Sequence, residues 1–444
     1  MTQGDMVIVG GAELLHRAAI LHRFVDMAGG PGGRFAVLAS ATAAPLAGFE
    51  KMRAWLGELG VDPERVELLR VSGAVAGMER GAYEAAEVER LRRADGLWLL
   101  GGDQNATIAL LRGEGGGDSG GDSPLLAALR ERAGRPRAAG GLVVGGTSAG
   151  AAVLSDPMIG AGTSFGALAL PRATAAGEAE MSSALYVLPG FGLFGEGMID
   201  QHFDTRARLA RLLEAALVED GARRPAFGIA EATALVYEGA SRRIGVVGAG
   251  ALYIVDPRPA VRRFVPTAAG PRVAIQGALL HCLTEGDSYE AATGVFDFGD
   301  KRRLAPEDAA FATPRPEASG VLSPYGGLAE FAARMLLDND PAGLFLDPAT
   351  GRRYARSLLV EEAPDFDGQP RCLGWELRLG RRLPVPAAGA GAAPSAAAYG
   401  PAPSAAGEAS SEEGCAVLYY DGRYSFRDVV VDILPIEIQI SRPV

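Results

Sequence analysis

The chain is poor in the residues that most directly announce a chemistry. Only three cysteines occur in 444 residues, Cys282, Cys372 and Cys415, too far apart for a disulfide framework or a paired-cysteine metal site. With no other cluster of metal-ligand type, neither metal nor cofactor is expected. Lys+Arg 43 against Asp+Glu 54 leave a net charge of −11. No basic run offers a footprint for a polyanion, so nucleic acid is excluded as a partner. No apolar stretch reaches the roughly 20 residues needed to cross a bilayer, and the start lacks a basic segment leading into an apolar one. The expectation is a soluble cytoplasmic protein without membrane contact. Val9-Gly10-Gly11-Ala12-Glu13 resembles a dinucleotide loop only superficially, lacking the G-x-G-x-x-G spacing; no P-loop and no internal repeat occur.

What is present is an ordinary globular composition, 48% hydrophobic and 22% charged. Near-continuous apolar runs at 6–9, 35–40, 66–71, 96–100 and 142–145 read as strands buried on both faces. Helical patterns at 13–27, 47–58, 81–93, 105–112 and 124–132 alternate with them. That alternation predicts right-handed crossovers and an α/β fold, a mostly parallel sheet flanked by helices. Function then belongs at the carboxyl ends of the strands. The glycine-rich 113–123 reads as a surface loop, and five β-like runs follow between 227 and 280. After about Phe298 the character changes: a break at 314–316, a helical pattern at 327–337, an Ala/Pro-rich linker at 384–411, and a strand pair in 415–440 around Asp421-Gly422. The predicted division is an α/β domain at 1–297 and an α+β extension at 298–444.

The sharpest motif is Gly146-Thr147-Ser148-Ala149-Gly150, reached from a buried strand and leading at once into a helix. This is the arrangement of a nucleophile elbow, in which small neighbours let the chain turn sharply and expose one hydroxyl. The N–H of Ala149 is then placed to meet oxyanion charge. A serine capping a glycine-rich turn is the competing reading. Of four histidines, His16, His22 and His281 read as structural; His202 lies in Asp200-Gln201-His202-Phe203-Asp204-Thr205-Arg206-Ala207-Arg208, with Arg211 three residues on. A solvated helix face explains the arginines but not Asp-Gln-His before them. His202 is the candidate base, and guanidinium forks suit a carboxylate. For a third group Glu231, at a strand end, competes with Asp200 and Asp204. Gly101-Gly102-Asp103-Gln104 closes another strand; an N–H at Gly102 or Asp103 can give a second oxyanion donor, and Gln104 can bind an amide or carboxylate.

Taken together, Gly10-Gly11-Ala-Glu, Gly101-Gly102-Asp-Gln, Gly146-Thr-Ser-Ala-Gly-Ala, Ser155-Asp-Pro-Met-Ile159, Ile199-Asp-Gln-His-Phe-x-x-Arg-x-Arg-x-x-Arg211, Glu231-x-Thr-Ala-Leu and Gly248-x-Gly-x-x-x-x-Val-Asp256 resemble the cyanophycinases, which group with the aspartyl dipeptidases of the peptidase E type. The resemblance fades after Leu283-Thr-Glu-Gly-Asp, about two-thirds along the chain. It implies a sheet fold like the class I glutamine amidotransferases, a homodimer, and a Ser148–His202–Glu231 triad. Gly102 and Ala149 would form the oxyanion hole. Gln104, Asp200, Gln201, Arg206, Arg208 and Arg211 would line the substrate pocket. The implied substrate is cyanophycin, poly-aspartate bearing arginine on its β-carboxyls, and the product β-Asp-Arg. Two alternatives stand beside it: a dipeptidase for aspartyl or isoaspartyl peptides, and a non-catalytic binding protein of the same fold. Ala230 stands where the family often has aspartate, and compact members lack the segment after 298.

Overall fold

Four successive apolar side chains make Met6–Val9 (β1) a strand that only a sheet interior accommodates, and all four are fully buried. After it come Arg17–Met27 (α1), Phe35–Leu38 (β2), Pro45–Glu58 (α2), Val66–Leu69 (β3), Ala85–Arg93 (α3), Gly96–Leu99 (β4), Gln104–Arg112 (α4), Pro124–Ala133 (α5), Val143–Thr147 (β5) and Ala149–Ala152 (α6). The computed structural model describes residues 4–12, 17–112, 121–267, 270–303, 317–322, 327–337, 344–361, 371–381, 416–420 and 423–439. The expected helix start at 13–16 with His16, most of the glycine-rich loop, the break at 314–316, the 384–411 linker, Cys415 and Asp421-Gly422 lie outside the described residues.

Helix boundaries follow local chemistry. Pro124 opens α5 because a first-turn residue needs no N–H acceptor, and Ser123 Oγ caps it by accepting from the Leu126 N–H at 3.2 Å. Alternate residues of the strands face opposite layers. Val7, Val9, Val37, Trp98 and Val143 pack with Phe24, Met52 and Leu56 of α1 and α2. Met6, Ile8, Leu38, Leu97 and Val144 pack with Leu91, Leu111 and Leu129 of α3, α4 and α5.

The next elements are Met158–Ala161 (β6), Ser164–Ala169 (α7), Ala176–Ser182 (α8), Tyr186–Leu188 (β7), Ile199–Asp200 (β8), Leu209–Val218 (α9), Ala226–Ile229 (β9), Thr233–Glu238 (β10) and Arg243–Gly248 (β11). The main sheet runs β3–β2–β4–β5–β1–β10–β11, continued by Ser288–Glu290 and Val295–Asp297. From β3 to β1 every pairing is parallel; from β1 onward every pairing is antiparallel. The expectation of a mostly parallel sheet is therefore corrected to a mixed one. The runs after 226 connect by short turns, which join antiparallel neighbours, whereas parallel neighbours need a crossover. β8 and β9 pair parallel, and β6 and β7 antiparallel.

The described chain divides into two units, and the division differs from the expected single cut near 298. Residues 1–254 and 283–299 form the first; 255–282 join 300–444 in the second. The reason is a long strand, Gly270–Leu283, that pairs antiparallel with Arg423–Gln439 near the end of the chain. In the second unit Arg353–Glu361 pairs with Arg371–Arg381, which also pairs with Arg423–Gln439. Buried Trp375 donates its indole N–H to the Val273 carbonyl at 3.0 Å. No helix among the described residues is long and apolar enough to cross a membrane.

In the first unit β1, β5 and β4 are adjacent and parallel, so the turns after Val9, Thr147 and Leu99 emerge side by side. Their close approach requires glycine: a Cβ on Gly150 would lie 2.4 Å from the Leu99 carbonyl oxygen. Gly150→Ala is expected to lower the melting temperature by several degrees, while Gly57→Ala, in open space on α2, raises stability by up to about 1 kcal/mol. Thermal unfolding of both variants checks the contrast.

Candidate active site

Ser148 stands between β5 and α6 at φ +52°, a left-handed conformation that a serine holds only where its surroundings impose it. Its N–H donates to the Val9 carbonyl at 3.0 Å, and a Cβ on Gly146 would lie 2.4 Å from the Gly150 oxygen. The N–H of Ala149 begins α6 and so has no acceptor within the helix. Beside it, Gly101 is close enough that a Cβ there would lie 3.2 Å from the Ser148 Cβ. Gly102 has φ +144° and no room for a side chain, its Cβ position being 2.1 Å from the Ala41 oxygen. The N–H of Asp103 already donates to that oxygen at 2.8 Å. Among the described residues no backbone carbonyl takes the Gly102 N–H.

His202 is carried by the turn after β8, also left-handed at φ +47°. Its N–H donates to the Gly10 carbonyl at 2.8 Å. The imidazole Nε2 lies 2.9 Å from Ser148 Oγ, and Nδ1 lies 2.6 Å from Glu231 Oε1. Glu231 sits in the tight turn between β9 and β10, whose next residue, Ala232, donates its N–H to the Gly11 carbonyl at 2.8 Å. Serine, histidine and glutamate thus form one hydrogen-bonded chain; of the three carboxylates considered for the third place, Glu231 is the one in contact with the ring. Asp204 instead accepts from the Thr205 N–H at 2.9 Å, and Asp200 is turned toward arginines.

His202 is 8% exposed, and the pKa of its imidazole is held below the ordinary 6.5. Burial is the main cause; the hydrogen bond to Glu231 opposes it, and the positive charges of Arg206 and Arg208 add to the lowering. The ring is consequently neutral at pH 7. A neutral imidazole against a hydroxyl, backed by a carboxylate, can take the serine proton. Elsewhere among the described histidines, His22 makes an exposed pair with Asp26, and His281 is buried and pushed down to about 4 by desolvation.

The arginine block divides by burial. Asp200 is 1% exposed, and Arg211 grips it through Nε at 2.8 Å and Nη2 at 2.6 Å. Arg208 adds a contact to Asp200 at 3.3 Å and donates to the Gln201 carbonyl. Burial lowers Arg208 to about 9, still protonated at neutral pH. Asp200 and Arg211, expected from the sequence to line a pocket, are paired with each other, because a charge at that depth persists only when paired. Arg206 alone of the three is exposed. Gln104 directs its amide N–H groups to the carbonyls of Ile159 at 3.3 Å and Gly160 at 2.7 Å. Gln201 is buried, and its side-chain oxygen has no partner among the described residues.

Three contributors escaped the sequence reading. Gly11, at φ +105°, leaves the space the imidazole occupies: a Cβ there would lie 2.3 Å from His202 Cε1. Gly228 does the same for Phe203, whose ring would meet such a Cβ at 2.4 Å. Ser164 binds the arginine turn from α7. Paired glycines at a strand end were the available signal for Gly11.

No protein-family model matches the sequence. Curated relatives do. A cyanophycinase of Geminocystis herdmanii is 30% identical over 293 residues, covering 66% of this chain and 95% of its own. One of Synechococcus elongatus is 32% identical, covering 66% and 80%. A cyanophycinase of Nostoc sp. is 30% identical over 65% and 86%. Among solved structures, a peptidase from an acI-B1 Actinobacterium aligns with a TM-score of 0.44 at 19% identity, over 65% of this chain and 97% of that one. With near-complete coverage of a relative at 30% identity, the chain belongs to the cyanophycinase family.

Proposed function

We propose that the protein is a serine-type exopeptidase that hydrolyses cyanophycin to β-Asp-Arg dipeptides, on a fold of the class I glutamine amidotransferase kind. The observation that carries this reading is the unbroken Ser148–His202–Glu231 chain of hydrogen bonds in a member of this family. The family resemblance adds a homodimer to it.

In this mechanism Ser148 Oγ attacks the backbone carbonyl of an aspartyl residue while neutral His202 Nε2 takes the hydroxyl proton. The N–H groups of Gly102 and Ala149 receive the developing oxyanion, in a site already rigid before reaction. Glu231 holds Nδ1–H and stabilises the imidazolium that forms. The imidazolium returns its proton to the leaving amine, giving an acyl-enzyme on Ser148. Water, deprotonated by the same imidazole, then attacks the ester, and the serine leaves with its proton restored. Exposed Arg206 is the cation available to a substrate carboxylate, whereas Arg208 and Arg211 act through the buried pairing with Asp200.

Incubating the protein with insoluble cyanophycin and weighing the soluble products by mass spectrometry tests the reading. The wild type is expected to release β-Asp-Arg, and Ser148→Ala to lose at least about 10³-fold in kcat. Release by neither overturns the polymer reading; cleavage of short aspartyl or isoaspartyl peptides in the same assay would make the protein a dipeptidase.

Because the working form of His202 is neutral and its pKa is depressed, the acid limb of kcat/KM is expected below pH 6.5. Arg206→Gln removes a charge that disfavours the imidazolium, so the limb moves upward. A pH–rate profile of both proteins decides it. Gly11→Ala displaces the ring and strains a backbone held at φ +105°, and is expected to cost about 10²-fold in kcat together with a lowered melting temperature, checked by steady-state kinetics and thermal unfolding.

A further inference from the structure

One buried hydroxyl outside Ser148, His202 and Glu231 touches the turn that carries His202. Ser164 begins α7 just after Thr163, which caps the helix by accepting from the Gly166 N–H. Ser164 is 3% exposed; its Oγ donates to the carbonyl of Ala207 and accepts the Arg211 N–H at 3.4 Å. Ala207 is left-handed at φ +51°, as are His202 and Ala232. The turn also closes on itself, the N–H groups of Arg206, Ala207 and Arg208 reaching the carbonyls of His202, Asp204 and Phe203 at 3.0, 3.0 and 2.8 Å. Those internal bonds give the turn its shape but not its anchorage. Besides the His202 N–H to the Gly10 carbonyl and the pairing of Arg208 and Arg211 with Asp200, two ties to neighbouring chain flank Arg206: Phe203 N–H to the Ile229 carbonyl on one side, Ser164 to Ala207 on the other. Arg206 lies between these two ties.

We propose that Ser164 is a positioning residue: by holding the Ala207 carbonyl it fixes where Arg206 stands relative to His202. Its kinetic consequence rests on the peptidase reading, since Arg206 is there the substrate-carboxylate group. Its geometric consequence does not. The charged groups that act on the imidazole are Glu231, Arg206 and Arg208. Releasing Ala207 lets Arg206 move away, and the imidazolium becomes easier to form.

The test is an NMR titration of the histidine Cε1–H signals in the wild type, Ser164→Ala, Arg206→Gln and the double variant, with His202 assigned from its loss in His202→Gln. Ser164→Ala is expected to raise the His202 midpoint about as far as Arg206→Gln does, and the double variant no further than either. With a soluble β-Asp-Arg oligomer, Ser164→Ala is expected to raise KM several-fold and leave kcat nearly unchanged. Ser164→Cys, which keeps a weak donor, falls between and serves the same comparison where the alanine variant does not fold. An unmoved His202 midpoint in Ser164→Ala, or additive shifts in the double variant, overturns the proposal. A wild type inert toward the oligomer overturns the peptidase reading alone, and the titration still judges Ser164.

Discussion

The carbonyls of Val9, Gly10 and Gly11 accept the N–H groups of Ser148, His202 and Ala232, and this run of hydrogen bonds at the end of one strand holds the three segments of the site in place. The strand is β1, paired with β5 on one side and β10 on the other, so the serine turn and the glutamate turn are its direct neighbours. The histidine turn reaches the same point from β8. Ser148, His202 and Ala232 are all left-handed, each at a cost of order 1–3 kcal/mol, whereas a hydrogen bond contributes about 1 kcal/mol net. The pinning bonds alone do not sustain that strain. The buried strands behind them do, because β1, β5 and β10 cannot shift without opening the core on both faces of the sheet.

Burial then sets the chemistry. An imidazole in this position is kept neutral mainly by desolvation, with Glu231 opposing and the arginines reinforcing. The balance leaves a neutral ring against Ser148. The same depth explains why Asp200, Arg208 and Arg211 are linked to one another: three ionised groups away from water survive as a network, and removing one partner strands the others at a cost of about 3–5 kcal/mol. Their place in the motif is therefore tied to the support of the His202 turn, and Arg206 is distinguished from them by its exposure.

The parallel strands and their helices were legible because long apolar runs bounded by glycine or aspartate leave few alternatives to a buried strand. β1 matches the residues expected, and β2 to β5 lie within two residues of their expected bounds. Less legible was pairing between distant segments. Nothing in the local pattern at 270–283 says that its partner lies at 423–439, since strand pairing depends on which edges meet in space. Charge alone likewise could not tell Arg206 from Arg211, because each reads as a basic residue on a helical approach.

Residue identity by itself determined the candidate nucleophile and base: glycines flank Ser148, histidines are few, and the Asp-Gln-His-Phe block with spaced arginines is a motif that chance seldom supplies. Tertiary structure decided how these meet. It put a Glu231 oxygen, and not one of Asp200 or Asp204, 2.6 Å from the ring, and it occupied the N–H of Asp103 but not that of Gly102. It also buried Asp200 with its arginines. The physical reason is that a side chain's type is written in the chain, while its solvent, partners and charge environment are made only when segments separated by tens of residues are brought together at the end of β1.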